Sequence, residues 1–231
     1  MVSKFIYCAQ YTPQPGLWQC QILQKASLPA QVGSASISEV RLHILILLLT
    51  SLLLSSCRSM DDLNRELIEA VQTAQPKEIR KALKHGASPN ARQADNETVL
   101  GLLISQYKYS HEDRRKRIEE AATLLLDKGA DANALHHGFT PLHIATGQGS
   151  GTIVSRLLTY GADPNLETRA GLAPIWQTVY DNNYKIGYIL LAGGANPNVR
   201  NEAGKTPLQY LRARGYQKTR LMLHLRHFGG M

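Results

Sequence analysis

Four short strings constrain the fold of this 231-residue chain more than any other feature. They are HGASPN at 85–90, KGADAN at 128–133, YGADPN at 160–165 and GGANPN at 193–198. Their glycines, Gly86, Gly129, Gly161 and Gly194, are 43, 32 and 33 positions apart, a period near 33 with one insertion of ten residues. A fixed period of this size signals a solenoid: each unit is too small to bury its own apolar face and does so by stacking on its neighbours. A second motif recurs in phase with the first: NETVLGLLI at 96–104, GFTPLHIAT at 138–146, GLAPIWQTV at 171–179 and GKTPLQYLR at 204–212.

The two motifs together resemble the ankyrin repeat, whose pattern pairs Thr-Pro-Leu-His with Gly-Ala-Asp-x-Asn, and the resemblance covers about residues 60–231. Each position has a physical task. Thr140 and Thr206 stand where a helix begins and can cap its free amides. Pro141, Pro174 and Pro207 take the first helical position, where no N–H is needed. Leu142, Ile175 and Leu208 point into the stack, and IVSRLL (153–158) and IGYILL (186–191) supply second helices. The four glycines end those helices in the left-handed conformation. Asp131, Asp163, Asn133, Asn165 and Asn198 are expected to close the following turn through side-chain-to-backbone bonds. His143 is the pattern's histidine and is expected to hydrogen-bond structurally rather than to catalyse. Trp176 and Gln209 replace it in later repeats, with an expected effect on local packing alone.

The resemblance implies an all-α ankyrin-repeat solenoid of about five helix-turn-helix repeats with β-hairpin fingers. The repeats fall at about 61–92, 93–134, 135–167, 168–200 and 201–231. The first lacks the Thr-Pro motif and has a charged outer face. Residues 200–231, the last repeat and the residue before it, carry Arg200, Lys205, Arg212, Arg214, Lys218, Arg220 and Arg226 against the single acid Glu202. End repeats need polar outer faces because nothing covers them, so this basic cluster reads as a solubilising cap, or else as a contact surface. The insertion, ISQYKYSHEDRRKRIEEAATLLL, predicts either one helix running past its usual end or a protruding loop able to contact a partner.

Upstream of the repeats lies an apolar run, Leu42 to Leu54, thirteen residues long and interrupted by His43. A bilayer-spanning helix needs roughly 20 apolar residues, whereas the apolar region of a signal peptide needs roughly 7–15. The run leads into Leu54-Ser55-Ser56-Cys57, which resembles the lipobox of bacterial lipoproteins. That resemblance implies cleavage before Cys57, a diacylglycerol on its sulfur, and a domain over 57–231 behind a signal peptide over 40–56. Arg58 in place of an aspartate favours the outer membrane within this resemblance. Residues 1–39 carry Pro13, Pro15 and Pro29 without sustained periodicity and read as a non-structural leader or a misassigned start. Of the three cysteines, Cys8, Cys20 and Cys57, the processed chain would keep one, so packing alone must hold the fold.

No constellation of catalytic residues is visible, and neither a cofactor nor a small-molecule substrate is expected. His136 and His137 are adjacent on a hairpin tip, where neighbouring side chains diverge, so a shared metal is not expected there. Ankyrin-repeat proteins grip protein partners with their hairpin tips and inner helices. Carried over position by position, that surface comprises Glu97; His136, His137, Phe139, Gln148 and Tyr160; Arg169, Leu172, Tyr180 and Asp181; and Glu202, Lys205 and Arg214. The expected function is an unidentified protein partner bound by a lipid-anchored, periplasm-facing module of the bacterial envelope. An immunity-type inhibitor of a periplasm-acting toxin, or a cytosolic or host-delivered interaction protein, would use the same surface. Nucleic acid is not expected, although the net charge is +8.

Overall fold

The computed structural model describes residues 59–216 and 219–231. The leader, the apolar run and Cys57 lie outside the described residues. Ten α-helices follow one another in five antiparallel pairs: α1 (Met60–Gln72) with α2 (Pro76–Lys84), α3 (Val99–Ser105) with α4 (Glu112–Asp127), α5 (Pro141–Gln148) with α6 (Gly151–Thr159), α7 (Ile175–Tyr180) with α8 (Tyr184–Ala192), and α9 (Pro207–Ala213) with α10 (Arg220–His227). From the second pair onward, α3, α5, α7 and α9 pack in one row, and α2, α4, α6, α8 and α10 in another. This is the all-α solenoid the period implies.

The helices begin where their caps are. The hydroxyls of Thr98, Thr140 and Thr206 accept from the backbone N–H groups of Gly101, His143 and Gln209, satisfying donors that a helix start leaves unpaired. At Thr206 the bond is reciprocated by the Gln209 side chain, a full capping box. Leu103, Leu142, Ile175 and Leu211 from the first row and Ile118, Leu157 and Leu190 from the second are fully buried, so a single apolar seam runs along the stack.

Between pairs, the first two fingers are held by isolated bridges, Arg92 with Thr98 and His136 with Phe139, and the next two by backbone bonds from Thr168 N–H to the Leu172 carbonyl and from Asn201 N–H to the Lys205 carbonyl. The turns divide their labour differently from the expectation. Asp131 and Asp163 do close their own turns, accepting at 2.8 Å from the N–H of Asn133 and Asn165. The asparagines reach onward into the next repeat. Asn90, Asn133, Asn165 and Asn198 donate to the carbonyls of Gly129, Gly161, Gly194 and Gly229 at 3.0–3.1 Å. Their side-chain oxygens accept from the N–H of Asp131, Asp163, Asn196 and Met231 at 2.7–2.9 Å. One asparagine per repeat clips each unit to the next.

The insertion is neither one overlong helix nor a protruding loop. Helix α3 stops at Ser105, residues 106–111 turn back, and α4 gains its extra length at its N-terminal end. Two of its arginine side chains and one backbone N–H are tied down. Arg114 donates to Gln72 O at 2.8 Å, Arg115 to Lys108 O at 2.9 Å, and Lys108 N–H to Gln148 Oε1 at 2.9 Å. The segment braces the first repeat against the third, which leaves little of it to act as a finger for a partner.

Candidate partner-binding face

The fingers of the third and fourth repeats and the helices behind them, α5 and α7, enclose an open apolar hollow of about 310 Å³. His137, Gly138 and Phe139 form one wall and Thr168, Arg169 and Ala170 the other. Leu172, Ala173, His143, Trp176, Gln177 and Tyr180 complete the lining. Two histidine bonds fix its frame. His143 Nδ1 lies 2.8 Å from the Thr140 hydroxyl, which also caps α5, and Nε2 lies 2.9 Å from the Leu172 carbonyl on the next finger. With Nε2–H donating to Leu172, Nδ1 is left to accept from Thr140. Burial lowers the His143 pKa below 6.5, with the Leu172 carbonyl pulling the other way. A neutral imidazole is what this two-sided bonding needs, so its role is structural.

Trp176 forms the floor. It is 1% exposed, and its Nε1 has no hydrogen-bond partner among the described residues. Its ring stacks at 5.6 Å on Tyr180 and meets Tyr210 edge-on at 5.9 Å; Tyr180 and Tyr210 are 5.4 Å apart. The Arg214 guanidinium lies 5.3 Å over Tyr210. An aromatic lane thus runs from Trp176 and Tyr180 to Tyr210 and ends on a cation, with Phe139 on the wall of the hollow that Trp176 floors. The sequence reading gave Trp176 a packing effect only; its place beneath two tyrosines makes it the base of a surface feature.

The surface residues carried over from the repeat pattern separate into groups. His137, Phe139, Arg169, Leu172 and Tyr180 line the hollow together. Asp181 lies beside it, accepting from Gln177 at 2.8 Å. Glu202, Lys205 and Arg214 are exposed on the last repeat. Gln148 faces the insertion through its bond to Lys108. Tyr160 stands at the C-terminal end of α6, in the middle of the outer row, where its hydroxyl donates to Asp127. His136 is 7% exposed and packs beneath the finger, so it cannot meet a partner from the surface. Nor do the two histidines diverge as an extended tip would require. His137 has a left-handed φ of 51°, and its ring comes within 4.7 Å of the His136 ring. Glu97 joins them from the preceding finger, 2.7 Å from His137 Nε2.

Residues 67–168 match the family model of ankyrin repeats, in 3 copies. This chain carries ankyrin repeats. Among curated relatives, this chain is 32% identical over 113 residues to the human "Ankyrin repeat and MYND domain-containing protein 1", covering 46% of this chain and 12% of that protein. It is 34% identical over 94 residues to the mouse "Ankyrin repeat and SOCS box protein 16" (40% and 20%) and 50% identical over 52 residues to the mouse "2-5A-dependent ribonuclease" (22% and 7%). The ankyrin segment therefore spans a fifth or less of these relatives' own lengths. An ankyrin stack is a protein–protein interaction module, and two exposed aromatics of this chain, Phe139 and Tyr180, lie on a finger and at the end of an inner helix.

Proposed function

We propose that this chain binds a folded protein partner through the hollow between its third and fourth fingers and the aromatic lane beside it. The observation that carries this reading is the pairing of two exposed rings, Phe139 at 49% and Tyr180 at 44%, across an apolar hollow floored by a buried tryptophan. Aromatic and arginine side chains dominate interface hot spots, and clustered exposed apolar surface needs a covering. Arg169 lines the hollow and Arg214 sits over Tyr210 at the end of the lane, so both bring positive charge to this face. The function is recognition without chemistry. A photo-crosslinking residue placed at 139 should label one protein in the producing cell, and the same residue at 160, at the C-terminal end of an outer-row helix, should not. Equal labelling from both positions would remove the hollow from the interface.

The location proposed with this reading is the bacterial cell envelope, periplasm-facing and held by a lipid on Cys57. It rests on the lipobox-like Leu54-Ser55-Ser56-Cys57 and the short apolar run before it. No helix among the described residues is long and apolar enough to cross a membrane, so in this reading attachment depends on the lipid. Membrane fractionation of the tagged chain, with and without an inhibitor of lipoprotein signal peptidase and beside Cys57→Ala, tests it. A shift in processing under both treatments supports the anchor, and an unprocessed, unfractionated chain under neither refutes it.

A further inference from the structure

We propose that Glu97, His136 and His137 form a binding site for a divalent transition-metal ion of the zinc type, which would clip the finger of the second repeat to that of the third. The three residues each offer one ligand atom, and these atoms lie within 4.8 Å of one another although the residues come from two repeats. Nothing in the repeat architecture requires the convergence. It depends on three local features. His137 takes a left-handed φ of 51°, which turns its ring toward His136. Gly101 supplies the space for the His136 ring, since a Cβ there would come within 2.4 Å of it. Arg92 donates to the Asn96 carbonyl at 3.0 Å and to the Leu135 carbonyl at 3.2 Å, holding the backbone next to Glu97 beside the backbone next to His136.

The donor set selects the ion. Two imidazoles and one carboxylate match zinc sites that keep a fourth position open, and imidazole favours zinc, copper and nickel over magnesium and calcium. Metal–ligand bonds of roughly 2.0–2.2 Å place tetrahedral ligand atoms about 3.3 Å apart. The widest pair here must therefore close by up to about 1.5 Å. Glu97 and His137 already lie 2.7 Å apart, so the movement is made by these two side chains toward the buried His136, and the His137 side chain, 51% exposed on a finger tip, has room to make it. His136 contributes the fixed ligand: it is buried, and its Nδ1 has no hydrogen-bond partner among the described residues, an unusual condition for a buried ring nitrogen. The fourth position would face solvent at the mouth of the hollow that His137 also lines.

Titration calorimetry and thermal unfolding of the purified full chain with zinc chloride, then magnesium chloride, test the proposal. The expected result is one zinc per chain, no response to magnesium, and reversal by a chelator. At a hundredfold excess over Kd the melting temperature should rise by about 5–10 °C. Glu97→Gln is nearly isosteric, His137→Asn changes a half-exposed side chain, and asparagine tolerates the left-handed backbone at 137, so both should keep the helical signal. Each should weaken zinc binding at least tenfold. No zinc uptake by the unaltered chain overturns the proposal. So does uptake that survives in both variants, which would place the metal on other histidines such as His224 or His227.

Discussion

The side-chain amide of Asn133 donates to the carbonyl of Gly161, 3.1 Å away and 28 residues further along the chain. The oxygen of the same amide accepts from the Asp163 N–H at 2.9 Å. A single planar group thus ties the turn of one repeat to the end of the next repeat's second helix and to the turn that follows it, and Asn90, Asn165 and Asn198 repeat the arrangement. Since each repeat of a solenoid touches only its neighbours, such clips act directly on the nearest-neighbour terms that hold the stack together.

Asn133→Ala removes both bonds from one interface. At roughly 1 kcal/mol net for a hydrogen bond, less where water can replace it, the loss should be about 1–2 kcal/mol, or a fall of about 2–6 °C in melting temperature. Asn133→Asp keeps the acceptor for Asp163 N–H and loses the donor, so it should cost about half as much. Thermal unfolding of the two variants checks the order.

Gly161 has a φ of 83°, yet nothing lies within 4 Å of where a Cβ would stand. A substitution there is penalised by backbone strain and not by crowding. Gly161→Val should cost about 2–3 kcal/mol and Gly161→Asn clearly less, because asparagine enters the left-handed region more readily. Denaturant midpoints measure both. Equal penalties would mean that crowding, not φ, sets the cost.

Acid should loosen the stack through His143. Burial lowers its pKa below 6.5 in the folded chain, so the unfolded chain takes up the proton first as pH falls. The contribution is complete above about 6.5 and declines as pH drops from there toward the folded value, by at most about 1.4 kcal/mol per pH unit. His136, lowered chiefly by burial as well, adds to the same slope. His143→Gln should be less stable at pH 7.5 and should lose less between pH 7.5 and pH 5. An unchanged slope in urea melts would show that His143 does not titrate on unfolding.

The period, the caps and the helix-ending glycines were legible in the sequence because each is a local requirement: a threonine before a helix, a glycine where φ is positive. The asparagine clips were not, since the same G-A-D-x-N string serves a bond within one turn or between two repeats. The ten inserted residues were ambiguous because their charges fit a solvated loop as well as the braced start of α4. His136 and His137 were misjudged on an assumption of extended backbone, which the φ of 51° at His137 breaks. Tyr160 was placed with the fingers by its position in the pattern, yet it ends an outer helix beside Asp127. The aromatic lane emerged only when α7 and α9 were side by side, because Trp176 and Tyr210 are thirty-four residues apart in the sequence.

Recognition by the hollow is the central claim, and one paired measurement tests it most directly. Once crosslinking at 139 has identified a partner, its affinity for the chain and the melting temperature of the chain are measured for the unaltered protein and for Phe139→Ala/Tyr180→Ala. Both rings are about half exposed, so their removal should weaken binding at least tenfold and move the melting temperature by no more than about 2 °C. Undiminished affinity, or a loss of affinity matched by a loss of fold stability, would contradict a binding face built from Phe139 and Tyr180.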